Sequence, residues 1–180
     1  MEFVACLRGR RSVRRFADTP IEKTLLERIV ENAAYAPSWK NVQPTRYIAV
    51  VESALKQTIA ETCLMEYKPN RAIIENAPML VIATYVEKRS GFERDGSPST
   101  SKLTHWESFD TGLAVEAFCL SAWNEGVGTV IMGIFDEASV CAKAGIPEGQ
   151  RVAALIAVGY PAETPNRPKR KNVADILSYR

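Results

Sequence analysis

One domain of the α+β or α/β class, spanning residues 1–180, is what this sequence predicts, and three observations predict it. Four short β-rich runs, at about 46–51, 79–86, 128–132 and 152–158, alternate with segments of helical period. A chain of 180 residues, 46% hydrophobic and 24% charged, is long enough to bury a core and lies in the ordinary globular range. No stretch of eighteen apolar residues occurs, so no membrane span is expected.

Residues 2–9 read as a short helix with Phe3, Leu7 and Val4 turned inward, ending at Gly9. An extended arginine stretch follows. Thr19, Pro20 and Glu22 form a helix-start signature, with Thr19 as N-cap and Glu22 reaching back. Ile21, Leu25, Ile29 and Ala33 then make one buried stripe, and the helix is expected to stop before Pro37. Residues 46–51 are a strand, and Leu55, Ile59 and Leu64 fall at helical spacing over 53–65. The run Met79 to Val86 is almost wholly apolar, so it reads as a strand buried on both faces. Residues 88–104 are polar and long for a loop in a compact domain, which suggests a lid or a mobile binding loop. From Trp106 to Glu125 runs the central helix. Between Leu113 and Trp123 it carries a single charge, Glu116, and should be enclosed nearly all round. Asp136 caps a helix to about Ala144, and Val152 to Val158 is the last buried strand. Beyond Gly159 the composition changes to a proline-rich arm, 160–180, with terminal Val173, Ile176 and Leu177. Such an arm cannot pack on itself, and a second subunit is its expected partner.

The chemistry begins with charge. Five arginines (Arg8, Arg10, Arg11, Arg14 and Arg15) occupy eight positions of a chain whose net charge is only +2. A solvated basic edge, a nucleic-acid patch and an anion site all remain open on the cluster alone. Arginine offers planar, bidentate donors that suit phosphate, and Ser12 adds a hydroxyl and an N–H. A second basic cluster, Lys169, Arg170 and Lys171, lies at the other end of the chain; the two are either separate patches or one phosphate site. His105 is the only histidine, and Cys6, Cys63, Cys119 and Cys141 are scattered, so neither a zinc set nor a histidine-based nucleophile scheme is recognisable. No GxGxxG or P-loop follows any strand. Without obvious catalytic side chains or a metal, the hard chemistry falls to a bound cofactor. The first residues are too short and acidic for a signal peptide, so a cytoplasmic location is the expectation.

In order, the motifs RRSVRRF, APSWKNVQP, NAPMLVIA, Asp110-Thr111-Gly112, GVGTVIMGIFDE and IPEGQRVAALIAVGYP, followed by the basic tail, resemble the nitroreductase family of FMN-dependent oxidoreductases over nearly the whole chain. The resemblance implies an α+β fold: a three-layer α/β/α sandwich, its sheet mixed but largely antiparallel, with the C-terminal arm exchanged in a homodimer. It implies FMN at the dimer interface. Arg10 and Ser12, supported by Arg11, would hold the phosphate or ribityl end, and Arg14 would lie near N1 of the flavin. Pro37, Ser38 and Asn41 would come from the partner. Trp39 would stack near the flavin or pack at the interface. Ile131, Met132 and Gly133 would line the ring, and Lys169 and Lys171 (or Arg170) would complete the phosphate site. No side chain is expected to be catalytic.

The implied activity is electron transfer from NAD(P)H to a nitroaromatic or quinone-type acceptor by a ping-pong mechanism, with no nucleic-acid or membrane partner. A diverged FMN enzyme (a dehalogenase, an enoate or dihydropteridine reductase, a peptide dehydrogenase) and a non-enzymatic FMN store or sensor are the alternatives. The chain departs from the family pattern at Thr45, where many members carry tryptophan after the Gln-Pro, and at Trp39, usually a small residue. It is also short, which leaves residues 66–77 and 88–104 as candidates for a lid over the substrate.

Overall fold

The apolar run at 79–86 becomes the middle of the sheet. The computed structural model describes residues 2–180; Met1, where the reading against a signal peptide begins, lies outside them. In it, β2 (Met79–Val86) is flanked on both sides by strands, in the order β1-β2-β4-β3. The others are β1 (Thr45–Val50), β3 (Gly128–Met132) and β4 (Gln150–Gly159). All three pairings are antiparallel, which corrects the expected mixed sheet. Two helices rather than one separate β1 from β2, so the chain re-enters the sheet at the end where it left. The one parallel pairing among the described residues is the isolated bridge between Ser12 and Thr129.

Alternation along β2 divides the core into two layers. Leu80 and Ile82 face a cluster built with α3 (Ser53–Thr62), α4 (Lys68–Asn76) and α6 (Glu137–Ala144). Val81 and Ala83 face another, built with α2 (Lys23–Ala33) and α5 (His105–Asn124). Burying each such aliphatic side chain contributes about 1.5–3 kcal/mol, so helices on both faces are what a two-sided apolar strand demands. No helix of the described residues is long and apolar enough to cross a membrane.

Several local expectations hold. Ile21, Leu25, Ile29 and Ala33 are all buried, and Asp136 caps α6 by accepting from Ser139 N at 2.8 Å. Others are corrected. Helix α2 starts at Lys23 with Glu22 as N-cap, not at Thr19, because Ile21 is drawn into the core beside Leu26 as a hydrophobic staple. Helix α1 (Phe3–Gly9) exposes the residues expected inside: Phe3 is 69% accessible, Val4 45% and Leu7 48%. It meets α5 by its opposite side, where Cys6 is buried and its thiol lies 3.3 Å from the Leu120 carbonyl. Helix α5 is enclosed as expected from Leu113 to Trp123, where no residue is exposed, but not toward its start, where Phe109 is 56% exposed. Residues 66–77 are no lid, since most of them form α4, packed into the outer layer through Ile73 and Ile74.

The arginine stretch is extended, as expected, and it is sewn into the fold. Val13 N donates to Thr129 O at 3.0 Å, Ala17 N to Tyr160 O at 2.8 Å and Ala162 N to Arg15 O at 3.0 Å. Val13 and Phe16 are buried between these bonds. Gly128 makes the approach possible: a Cβ there would lie 2.7 Å from Val13 Cγ2 and 3.1 Å from Pro161 Cγ.

Candidate functional site: a basic cleft and a strained shelf

The two basic ends of the chain meet. Arg10, Arg11, Ser12 and Arg14 line a cleft of about 280 Å³ together with Pro165, Asn166, Pro168 and Arg170. Glu163 builds the junction. Its Oε1 accepts from Arg14 N at 2.9 Å and Arg15 N at 3.2 Å, and its Oε2 pairs with Arg15 Nε at 3.0 Å. The Arg14 and Arg15 amide bonds and the Arg15 guanidinium hold the Glu163 carboxyl below the usual carboxylate range.

The cations are not equivalent. Arg11 Nη1 donates to the carbonyls of Arg8 at 2.8 Å and Arg10 at 2.6 Å, so it closes the end of α1 and spends part of its fork on backbone. Arg10 lies with Nε 3.4 Å from Glu116 Oε1, an ion pair without the alignment of a hydrogen bond, and that Nε is buried with no hydrogen-bond partner. Arg14 Nη1 touches only the Ser12 carbonyl, at 3.3 Å. From the tail, Arg170 lines this cleft and also an adjoining hollow, which it shares with Lys169, Lys171, Asn172 and Asp175. Of the three tail residues expected near a phosphate, Lys169, Lys171 or Arg170, the last is the one that lines this cleft.

Pro37, Ser38, Trp39 and Asn41 stand elsewhere in the same subunit. Pro37 and Ser38 edge a larger, mostly apolar cleft of about 380 Å³ between α2, β1 and α5, which shares no residue with the basic one. Thr45 and Tyr47 also line it, and each carries an oxygen that is buried without a partner. Burial, and to a lesser degree the neighbouring Cys119, pushes the Tyr47 phenol far up, so it stays neutral. The segment itself is strained. Lys40, Asn41 and Gln43 all have left-handed backbone, with φ of 43°, 56° and 46°. Gln43 N donates to Ser38 Oγ at 2.9 Å, and Gln43 Nε2 to Asn41 Oδ1 at 3.1 Å. Trp39 packs on Trp106 of its own subunit, ring centroids 5.1 Å apart, and Trp106 meets Phe109 at 5.5 Å.

Ile131 is 46% exposed at the end of β3, while Met132 is buried in the core, so of Met132 only the backbone is available to a ligand. Gly133 faces open space. Within residues 88–104 the chain folds back as a hairpin: Phe92 bridges Pro98, and Ser99 N donates to Gly91 O at 2.8 Å. Sequence reasoning passed over Glu163 and the Arg10–Glu116 contact, and it met Asp110 only as part of a motif, without a role. For the Arg10–Glu116 contact there was a signal: one carboxylate in an otherwise apolar helix needs a cation opposite it.

Comparison with known proteins places the chain. Residues 7–160 match the Nitroreductase family model, and the chain belongs to that family. It is similar to an NADH dehydrogenase of Thermus thermophilus, 29% identical over 86% of this chain and 84% of the relative. Among solved structures, a nitroreductase family protein of Clostridium novyi is 31% identical, with a TM-score of 0.78 over 94% of this chain and 89% of the other. A structure from Exiguobacterium sibiricum, solved in complex with FMN, shares the fold at a TM-score of 0.85 and 21% identity, covering 100% of this chain and 98% of the other.

Proposed function

We propose that this protein is an FMN-dependent NAD(P)H oxidoreductase, working as a homodimer of residues 1–180, that reduces nitroaromatic or quinone-type acceptors. The observation that carries the reading is the convergence of Arg10, Ser12, Arg14 and Arg170, from opposite ends of a nitroreductase-family chain, on one cleft. The donor set fits a phosphomonoester. The Arg10 and Arg170 guanidiniums offset a dianion, the Ser12 hydroxyl adds a neutral donor, and the buried Arg10 Nε, without a hydrogen-bond partner, is a donor in want of an acceptor.

When bound, FMN supplies the two-electron redox chemistry through which NAD(P)H and acceptor alternate in a ping-pong cycle. The chain's part is to bind, orient and exclude water. Arg10 and Arg170 hold the phosphate end, Arg14 sets positive charge beside the ring, and exposed Ile131 with the Gly133 backbone gives the ring an apolar wall. Ser38 and Asn41, remote from their own basic cleft, are offered to the partner's. The apolar faces of α1 and the arm supply the surface such a dimer buries. Protons come from solvent, in keeping with the lack of a suitable histidine.

The test is optical. The purified chain should be yellow, release FMN on denaturation, and bleach when NADH or NADPH is added without oxygen. A colourless protein that also fails to quench added FMN fluorescence would end the reading. Bound FMN that neither nucleotide bleaches would leave a store or sensor instead.

A further inference from the structure

Asp110 is a buried carboxylate, 3% exposed, on the inner flank of α5, and none of the ion pairs among the described residues includes it. Burying an unpaired carboxylate is costly, so what it accepts should matter. Its Oδ2 takes two bonds from opposite directions: Trp39 N at 2.8 Å and Ser90 Oγ at 2.6 Å. The first partner begins the strained 39–43 turn, and the second roots the 88–104 hairpin. A turn with three left-handed residues, none of them glycine, does not hold itself. Two outer contacts repeat the connection. Lys40 Nζ pairs with Glu93 at 2.9 Å, and Trp39 lies against Trp106, on which the hairpin closes so tightly that a Cβ at Gly91 would come within 2.8 Å of Trp106 Cδ1.

We propose that Asp110 is a positioning residue that locks the 39–43 turn to the 88–104 hairpin, so that the wall meeting the cofactor and the wall meeting the acceptor are set by one buried group. What the two walls touch rests on the function proposed above; the lock itself does not. Glu107, one turn earlier on α5, is the internal control. It is equally buried but accepts from Lys88 N and makes no bond to the 39–43 turn. A carboxylate that merely steadied the start of α5 would behave as Glu107 does.

The experiment is amide hydrogen exchange on the full chain without cofactor, for the parent and for Asp110→Ala, Asp110→Asn, Ser90→Ala and Glu107→Ala, followed by FMN titration of each. Asp110→Ala should speed exchange about tenfold or more in both the 39–43 and 91–99 windows while leaving α2 and α3 unchanged. Asp110→Asn, which keeps an accepting oxygen, should restore most of the protection. Ser90→Ala should loosen the hairpin alone, and Glu107→Ala the hairpin root alone. Asp110→Ala should also raise the FMN Kd roughly tenfold and raise the acceptor KM, with Glu107→Ala leaving the FMN Kd unchanged. In Asp110→Ala, loosening confined to one window, or spread evenly over the chain, overturns the lock. An FMN Kd equal to the parent's despite two loosened windows overturns the positioning role. Should Asp110→Ala fail to fold, the protection that Asp110→Asn does not restore decides: it should be missing from both windows together, and a loss in one window alone, or in neither, overturns the lock. A parent that binds no FMN defeats the function proposed above, and the exchange windows still decide the lock.

Discussion

The arginine stretch and the C-terminal arm are alike in composition and opposite in fate. Both are basic, extended and outside the sheet, and both interleave apolar residues with charge. In the stretch, Val13 and Phe16 are 0% and 4% exposed, and the amides of Val13 and Ala17 donate to the Thr129 and Tyr160 carbonyls. In the arm, Val173, Ile176 and Tyr179 are 66%, 71% and 87% exposed, and its one turn, Val173–Asp175, is capped only by its own Asn172 and Asp175. An extended segment is fixed when its alternate side chains find a hole and its amides find a strand. The stretch finds both within its own subunit, whereas the arm beyond Glu163 bonds, among the described residues, only to itself.

The most severe break of this contrast is Phe16→Ala. It should cost about 3–5 kcal/mol of stability, measured by urea melting, and release the arginine stretch with it. A loss under 1 kcal/mol would show that the stretch is held by hydrogen bonds rather than by its buried ring. Next comes charge without packing. Arg10→Ala should weaken FMN binding by about tenfold to a hundredfold, whereas Arg11→Ala, whose guanidinium is committed to the Arg8 and Arg10 carbonyls, should weaken it far less. Equal effects in a fluorescence titration would contradict the division of labour.

Acid should act on the junction between the two segments. The Glu163 carboxyl is held low in the folded chain, so its contribution is present above the ordinary glutamate value and lost as pH falls through the folded one. FMN affinity in the parent should therefore drop in that acidic window, and Glu163→Gln should already bind more weakly at neutral pH, with a flatter acid profile. A profile unchanged by the substitution would free Glu163 of this role. The smallest expected effect on the chain's own stability comes from Ile176→Ser with Leu177→Ser. A diluted, monomeric sample should melt as the parent does, while the dimer should dissociate at higher concentration in sedimentation. A lowered monomer melting temperature would mean the arm packs at home.

What was legible in the sequence follows the same line. Strand β2 announced its two buried faces because eight consecutive apolar-rich residues admit little else, and the stripe on α2 was plain from its period. The strand order was not legible, since pairing joins residues far apart in sequence. The outward turn of Phe3, Val4 and Leu7 was missed because periodicity shows that a stripe exists, not which side of a two-turn helix meets α5. Helix α4 was hidden by Pro69 and by a polar composition in which only Ile73 and Ile74 mark the inner side. Arg10, Arg11, Ser12 and Arg14 were readable from residue type alone as candidates for an anion site, beside the other readings of a basic cluster. Asp110 was not, because its role depends on two partners, 71 and 20 positions away, that no local pattern connects to it.

The Glu163 bonds have a consequence for the order of events in folding. They join amides 149 and 148 positions away, and the remaining wall of the basic cleft, Pro165 to Arg170, lies later still. The arginines precede all the strands in the sequence, yet they have no finished cleft until Pro165 to Arg170, which follow them all, are available. Contacts of such high sequence separation form late, after loop-closure entropy has been overcome. A chain that stops short of its last twenty residues can thus build both core layers and still offer no complete anion site. Completion of the basic cleft reports that folding has reached Arg170.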